Sequence, residues 1–543
     1  MDTLKEVGRC TREGVTINTF MLERSRPLTE FVDQMTRLNR WRAFYADPEQ
    51  LGEGTGAPPG ATMGAMESPF VASTVVELLE RIAGCASVEE GRLTIADESA
   101  FRDRAVADVV WSATFSEDPD VVAAARWIVW EASQALGCPS ASIHELYMAR
   151  GRGEVSGFTV PALNLRTQVF DMARIATLAA RELDAGAVIF ELARSEQEYT
   201  YQRPGEYLTS VLGGVIAGGW RGPVFVQGDH YQFNAKKYAT DPDGVTEGLR
   251  KLIVEALSAG YGNIDIDSST LVDLSQPTID EQQRTNYTRC AELTALIREH
   301  EPEGHTTSVG GEIGEVGKKN STPEELRAFL DGFRGELERL AGADATGLSK
   351  VSVQTGTSHG GVPLPGGGVA EVALDFDTLE RMSAICREYG MAGAVQHGAS
   401  TLPDELFHRF PAVGAAEIHL ATGFQNLLYD HEAFPAPLRN EVEGWCRVNT
   451  ADERKDGETE TQFLYKTRKK ALGPYKRTLW DLPEREAILA DQQAKLRFLF
   501  EQLGVAGTRQ MVDRYVRPLA RHRPAPEAVL ESAGGIGARP FVA

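Results

Sequence analysis

Five residues of this sequence have types and positions that could do chemistry: Asp229, His230, Glu312, His359 and His397. Each lies at or just after the end of a short β-type run, and the three histidines come from three different runs in a chain with ten histidines. Catalytic zinc takes about three protein ligands and keeps one position open, and neutral imidazole is its usual nitrogen ligand. The pattern predicts a divalent-metal site with the three histidines as ligands, and Asp229 as an acid–base group beside the metal.

One histidine at a strand end is more often a hydrogen-bonded structural residue than a ligand. The convergence of three such positions favours the metal, although three structural histidines remain the alternative. Glycine follows both His359 and His397. A glycine there allows backbone N–H groups to approach a bound anion closely, which is consistent with a substrate-binding site.

The elements that must position these residues alternate between β-type and helical patterns. Eight short apolar runs have β character, at 159–163, 187–192, 223–227, 263–267, 307–312, 350–354, 393–396 and 416–420. Helical patterns separate most of them, at 169–184, 204–217, 245–259, 281–300, 323–341 and 376–389. Such alternation indicates βαβ units, and eight of them have the size of one (β/α)8 TIM barrel, in which catalytic groups lie at the carboxyl ends of the strands.

We therefore expect three parts in this chain. Residues 1–150 are predicted to be a mostly helical N-terminal region of unassigned role, with helical spacing at 28–46, 73–83 and 120–136 and a Gly/Pro/Ala-rich loop at 52–69. Residues 151–435 are the barrel. Residues 436–543 are predicted to be a helical C-terminal extension with a helix at 484–503, a charged run at 447–470 interpreted as a solvated face, and a loose tail.

Composition excludes several classes of partner. The formal net charge is −22, which argues against nucleic acid and against anionic membranes. The six cysteines form no CxxC pair, which is typical of a reducing compartment. The first residues lack the layout of a signal peptide, and no apolar run is long enough to span a membrane. These features predict a cytoplasmic protein.

Eight segments between about residues 155 and 430 form an ordered set: FTVPALN, FELARS, GDH, NIDIDSS, GGEIGEVG, GTSHGG, QHGASTLPDEL and EIHLATGF. In this order and spacing they resemble the class II, zinc-dependent fructose-bisphosphate and tagatose-bisphosphate aldolases. The resemblance does not extend to residues 1–150 or to the last hundred residues. It implies a lyase that cleaves and forms a ketose, in most cases phosphorylated, through a zinc-stabilised enediolate.

The resemblance also implies roles for individual residues. It makes the three histidines ligands of Zn²⁺ or another divalent metal, with a monovalent cation as an optional second ion, Asp229 the catalytic proton carrier, and Glu312 a carboxylate near the metal. It assigns the remaining positions to the substrate: Asn164 and Ser195 near the sugar, and Gly360, Gly398, Ser400 and Thr422 in the phosphate-binding loops.

The last strand departs from the family pattern. Where the family has an asparagine that contacts the ketose and an aspartate near the phosphate, this sequence has His419 and Ala421. His419 is a candidate substrate contact from its place at the end of the eighth run, with a structural histidine as the equal alternative.

Two other functions stay open. One is a noncatalytic barrel subunit that stabilises a partner aldolase; the other is an aldolase of specialised metabolism that acts on a nonphosphorylated or amino sugar. For the enzyme, we expect a small-molecule sugar substrate and a homo-oligomer.

Overall fold

The computed structural model describes residues 19–21, 43–45, 70–314, 319–356, 374–399 and 402–536. The chain divides into two compact units, Met1–Glu67 and Ser68–Ala543. In the first unit, strands β1 (Thr19–Met21) and β2 (Ala43–Tyr45) pair in parallel. The expectation of helix over 28–46 is therefore wrong at Ala43–Tyr45. The rest of that segment and the predicted loop at 52–69 lie outside the described residues.

The second unit begins with helices and a hairpin. The hairpin joins β3 (Ala86–Glu89) to β4 (Arg92–Ile95) through Glu90 and Gly91, whose φ angles are 50° and 72°. Two successive left-handed residues give the turn that matches the twist of paired strands, and glycine adopts this conformation at little cost. A short strand, β5 (Ser140–Ala141), follows. The helical segments of this region are Val75–Ile82, Glu98–Ala100, the π-helix Phe101–Ala105, Val106–Phe115, Pro119–Ala135 and His144–Gly151.

Eight parallel strands then close into a barrel, which confirms the predicted (β/α)8 fold. Neighbours pair in chain order, the last strand pairs with the first, and β5 pairs with the first two residues of the third. The strands are β6 (Val160–Asn164), β7 (Ile189–Ala193), β8 (Val224–Gln232), β9 (Asn263–Asp267), β10 (Ser308–Gly314), β11 (Lys350–Val353), β12 (Ala394–Gln396) and β13 (Glu417–Leu420). Each overlaps the run predicted for it. Most strand residues are buried on both faces because helices cover the outside of the barrel.

The helices around the barrel begin and end at clear sequence signals. Thr322 caps the helix Pro323–Ala341 in a capping box with Glu325, and proline occupies its first position. The helices and short helical turns in this part are Val169–Glu182, Arg194–Tyr199, Pro204–Ala217, Ala235–Tyr238, Pro242–Ala259, Ser269–Leu271, Ile279–His300, Pro323–Ala341, Phe376–Glu388, Asp404–Leu406, Arg409–Ala412 and Thr422–Asp430.

The C-terminal extension packs back on the barrel and on the helices before it. Helix Arg485–Gln502 lies against Val169–Glu182, and the indole N–H of Trp127 donates to the carbonyl of Arg523. The helical segments here are Ala436–Asn449, Ala451–Glu453, Glu460–Thr467, Arg468–Leu472, Lys476–Trp480, Arg485–Gln502, Arg509–Tyr515 and Glu527–Ile536. Within the described ranges, no helix is both long and apolar enough to cross a membrane.

Candidate functional site

A cavity of about 480 Å³ opens at the carboxyl ends of the barrel strands. Eight residues singled out from the sequence line it: Asn164, Ser195, Asp229, His230, His397, Gly398, His419 and Thr422. Glu312 is not in its lining, but its Oε2 atom lies 3.2 Å from His230 Nδ1. His359, Gly360 and Ser400 lie outside the described residues. The predicted site residues that the structure describes therefore lie together, in the cavity or directly against its lining.

An irregularity in β8 explains how two adjacent residues reach the same cavity. Successive side chains of a regular strand point to opposite faces. Between Gly228 and Tyr231 the pairing of β8 with β9 shifts register, and His230 has a φ of 40°. Left-handed backbone is unfavourable for a residue with a Cβ, and such strain is concentrated at functional sites. The bulge lets both Asp229 and His230 line the cavity.

Two carboxylates hold the His230 ring. Its Nδ1 atom lies 3.0 Å from Asp267 Oδ2 and 3.2 Å from Glu312 Oε2. Burial and the neighbouring Asp267 raise the pKa of Glu312 to about 7. Burial also acts to raise the pKa of Asp267, but hydrogen bonds, above all from His230, outweigh it and hold that pKa below its usual value. A carboxylate on one ring nitrogen is the usual support of a metal-binding histidine.

His397 lies between the other two imidazoles of the cavity. Its ring centroid is 4.2 Å from that of His230 and 4.1 Å from that of His419. Its Nε2 atom is hydrogen-bonded to Ser352 Oγ at 2.8 Å. Asp229, His230 and His397 each offer a ligand atom, and these atoms lie within 4.8 Å of one another. Two imidazole nitrogens fit a divalent transition metal such as zinc, and the carboxylate lies next to the position that such a metal would occupy.

His419 lies among buried carboxylates at the inner wall of the cavity. Its Nδ1 atom is 3.1 Å from Glu191 Oε1 and 3.2 Å from Asp229 Oδ1, and its Nε2 atom is 2.7 Å from Glu417 Oε1. Burial and the nearby Asp229 raise the pKa of Glu191 to about 7. Burial acts to lower the pKa of His419, but Glu191 and Asp229 outweigh it and raise that pKa well above its usual value.

A second group below His419 balances this negative charge. Lys350 Nζ lies 2.9 Å from Asp265 Oδ2 and 2.5 Å from Glu417 Oε1. It also donates to Gln227 Oε1 at 2.7 Å, and the hydroxyl of Tyr147 donates to Glu417. These side chains fill the inside of the barrel, so the floor of the cavity is a connected polar network rather than an apolar core.

Four cationic side chains also line the cavity: Arg166, Arg194, Lys237 and Lys469. We call the part of the cavity lined by these residues its cationic side. Arg166 is paired with Glu196 at 2.7 Å. Lys469 Nζ lies 5.9 Å from the centre of the Tyr199 ring, and no described carboxylate is within 4 Å of it. Burial, with the nearby charge of Arg166, lowers the pKa of the Lys469 ammonium. Glu196 and Glu198 also line the cavity, so the cations that suit an anionic group are those without a described carboxylate within 4 Å, such as Lys469.

Sequence reasoning missed several residues of this site. Asp265 and Asp267 are polar residues two apart in a buried strand, and Glu417 lies two residues before His419 in another, so each pair faces the inside of the barrel. That spacing could have identified Asp265, Asp267 and Glu417. The interpretation of 447–470 as a solvated face is wrong for Lys469, which lines the cavity. No local pattern marked it, because its position depends on how the C-terminal extension folds back.

Two family models match parts of this chain. A model of the family "Fructose-bisphosphate aldolase class-II" matches residues 152–472, and one described as "Rv0959-like protein, vWA domain" matches residues 1–55. The fructose-bisphosphate aldolase of Thermus caldophilus is 27% identical over 279 residues, which are 50% of this chain and 73% of that protein.

Two solved structures are similar to parts of this chain. The fructuronate-tagaturonate epimerase UxaE of Cohnella laeviribosi is 11% identical, with a TM-score of 0.50 over 78% of this chain and 90% of its own. A probable tagatose 6 phosphate kinase of Sinorhizobium meliloti is 19% identical, with a TM-score of 0.45 over 70% of this chain and 98% of its own. Because the aldolase family model matches more than half of the chain, the resemblance stated from the motifs is confirmed: this chain belongs to the class II fructose-bisphosphate aldolase family.

Proposed function

We propose that this protein is a divalent-metal-dependent aldolase that reversibly cleaves a ketose between C3 and C4. The observation that carries the proposal is the convergence of Asp229, His230 and His397, from the ends of two strands, on one point of the cavity. His359 is assigned as the third histidine ligand from the sequence. Glu312 and Asp267 support His230 from the other side of its ring.

The roles of the chain's own groups follow from their positions. A bound divalent metal would polarise the ketose carbonyl and stabilise the negative charge that develops beside it. Asp229 would take the proton of the C4 hydroxyl as the C3–C4 bond breaks. C4 then becomes the aldehyde carbon, and the electron pair of the broken bond passes to the three-carbon fragment as an enediolate. This fragment takes up a proton at C3 from solvent before release, and Asp229 gives its proton back to solvent. In the condensation direction Asp229 returns its proton to the new hydroxyl.

The cationic side of the cavity supports an anionic sugar as substrate. Lys469 and Arg194 line the cavity, and neither lies within 4 Å of a described carboxylate. Thr422 and Gly398, which the family resemblance assigns to phosphate binding, line it as well. A phosphorylated ketose matches these features. The departure at His419 and Ala421 instead favours a nonphosphorylated sugar, and this is the second candidate.

A noncatalytic partner subunit is the less supported alternative, because Asp229 and the described metal-binding histidines are all present and face the cavity. A cytoplasmic homo-oligomer remains our expectation for the enzyme.

The test is metal analysis together with cleavage assays on fructose 1,6-bisphosphate, tagatose 1,6-bisphosphate and their nonphosphorylated ketoses. Wild-type protein should purify with about one divalent metal per site, and His230→Ala should lose most of the metal and the activity. His431→Ala is the matched control, because His431 is also largely buried and pairs with Asp491, but does not line the cavity. Full metal content and activity in His230→Ala would show that the assignment is wrong.

A further inference from the structure

His419 makes contacts that a simple substrate-binding residue does not need. Both of its ring nitrogens face carboxylate oxygens: Nε2 faces Glu417, and Nδ1 faces Glu191 and Asp229. Nε2 is hydrogen-bonded to Glu417, whereas Nδ1 makes close polar contacts with Glu191 and Asp229, so both polar edges of the ring are directed at groups of the enzyme. Its side chain is only 4% exposed, which leaves little of its polar edge for a sugar.

The orientation of this ring is fixed from below. Glu417 Oε1 lies 2.7 Å from His419 Nε2. The same oxygen accepts hydrogen bonds from Lys350 Nζ at 2.5 Å and from Gln227 Nε2 at 2.9 Å. The other oxygen of Glu417 accepts from the Tyr147 hydroxyl. With both oxygens held, the Glu417 carboxylate has one orientation, and it sets the direction of the imidazole.

The opposite edge of the ring reaches Asp229. Asp229 pairs in regular register with Ala193 of β7, next to the point where the pairing of β8 with β9 shifts. The 3.2 Å distance from His419 Nδ1 to Asp229 Oδ1 links this carboxylate to the rigid network of the barrel interior. A carboxylate that takes a proton in the reaction must point at the substrate hydroxyl, and an error of about 1 Å can lower the rate by about 100-fold.

We propose that His419 is a positioning residue for Asp229: Glu417 and Lys350 fix the imidazole, and its Nδ1 edge fixes the carboxylate that moves the proton. This inference rests on the proposed function. It gives a physical reason for the departure from the asparagine of the family, since the side chain at this position acts on an enzyme carboxylate in place of the ketose.

Two amide substitutions separate the edges of the ring. The amide nitrogen of asparagine is two bonds from Cβ, as is His Nδ1, whereas the amide nitrogen of glutamine is three bonds from Cβ, as is His Nε2. His419→Asn therefore keeps a donor toward Asp229, and His419→Gln keeps one toward Glu417. If positioning of Asp229 is what matters, kcat should fall within about 10-fold for His419→Asn and by about 100-fold for His419→Gln, with KM changed little in both.

The experiment measures kcat and KM for cleavage of fructose 1,6-bisphosphate and tagatose 1,6-bisphosphate in both variants and in the control His431→Asn, whose site lies outside the cavity. Metal content and melting temperature are measured in the same proteins. In the Asp229→Asn background, His419→Gln should add almost no further loss, because the two residues act as a unit. A rise in KM with unchanged kcat, additive losses, or a larger loss in His419→Asn than in His419→Gln would each overturn the proposal.

A structural measurement keeps this inference separate from the proposed function. Crystal structures of the metal-loaded wild type and of both variants should show an Asp229 oxygen within about 3.5 Å of His419 Nδ1 in the wild type and of the introduced amide nitrogen in His419→Asn. In His419→Gln, Asp229 should be rotated. If the wild type cleaves no ketose, the proposed function fails while these distances still decide the inference. An Asp229 side chain in the same orientation in all three structures would show that His419 does not position it.

Discussion

The Nζ atom of Lys350 lies 2.9 Å from Asp265 Oδ2 inside the barrel, where the lysine side chain is 1% exposed. The same ammonium contacts Glu417. Burial acts to lower the pKa of Lys350, but Asp265 and Glu417 outweigh it and raise that pKa above its usual value. This lysine is therefore the cation that allows carboxylates to remain ionised beneath the candidate site.

We predict that Lys350→Met lowers the free energy of unfolding by about 3–5 kcal/mol, because it leaves buried carboxylates without their partner. Chemical denaturation of both proteins measures the difference. The control is Arg327→Met, which breaks a pair between Arg327 and Glu388, both about half exposed. That change should cost less than about 1 kcal/mol. Equal losses in the two variants would contradict a stabilising role for the buried cation.

The β8 bulge gives a second prediction, at Gly228. A Cβ atom at this position would lie 2.5 Å from Cζ of the Tyr231 ring, which is fully buried. Tyr231 cannot move aside without displacing the bulge, so Gly228→Ala should destabilise the protein by about 1–3 kcal/mol and lower metal content and activity together. Thermal melts and metal analysis give the two readouts.

Gly248 provides the matched control, since a Cβ there meets nothing within 4 Å and the residue lies on an exposed part of helix Pro242–Ala259. Gly248→Ala should raise stability by about 0.5–1 kcal/mol. If Gly228→Ala melted like the wild type with its metal intact, the close approach of Tyr231 would have no structural importance.

The sequence predicted the barrel well because its signals are local. Buried strands of a parallel sheet appear as short apolar runs between amphipathic helices, and all eight runs became strands. The rule that strand ends form one rim was enough to bring Asp229, His230 and His397 to the same cavity. Local rules did less well near Ala43–Tyr45, where helical spacing coincides with a strand.

The chemistry around those residues was less predictable, because it depends on contacts between distant segments. The register shift after Gly228 could not be read from alternation in β8 alone. Glu417 and Lys350 belong to strands far apart in the chain, and their pairing follows only from closure of the barrel. Lys469 reaches the cavity from the C-terminal extension, which no strand-end rule describes.

A third prediction concerns how the free energy of unfolding depends on pH. Burial, together with the charges of Arg298 and His305, lowers the pKa of His144 to about 4. In the unfolded chain this pKa is about 6.5. Between these values the unfolded state binds a proton that the folded state does not, so the contribution of His144 to stability is complete above about pH 6.5 and declines as pH falls toward about 4.

The expected slope is about 1.4 kcal/mol per pH unit for this residue. Other groups titrate in the same range, so the measurement is the difference in unfolding free energy between wild type and His144→Asn at about pH 7.5 and about pH 5.0. When the pH is lowered from about 7.5 to about 5.0, the wild type should lose about 2 kcal/mol of unfolding free energy relative to the variant. A difference that is the same at both pH values would mean that His144 does not titrate with a depressed pKa.

The last prediction tests the cationic side of the cavity. Lys469 lines the cavity, whereas its neighbour Lys470 is paired with Glu453 and does not line it. Lys469→Met keeps an unbranched side chain, one atom shorter, and removes its charge. If this ammonium binds an anionic group of the substrate, the variant should raise KM for a phosphorylated ketose by about 10-fold or more, which corresponds to the loss of one charge-assisted hydrogen bond.

Lys470→Met should leave KM unchanged, and neither variant should alter KM for the uncharged ketose. The phosphorylated and uncharged sugars are assayed side by side at low ionic strength, since salt screens exposed charges. Equal changes for both sugars in Lys469→Met would mean that the residue shapes the cavity without recognising charge.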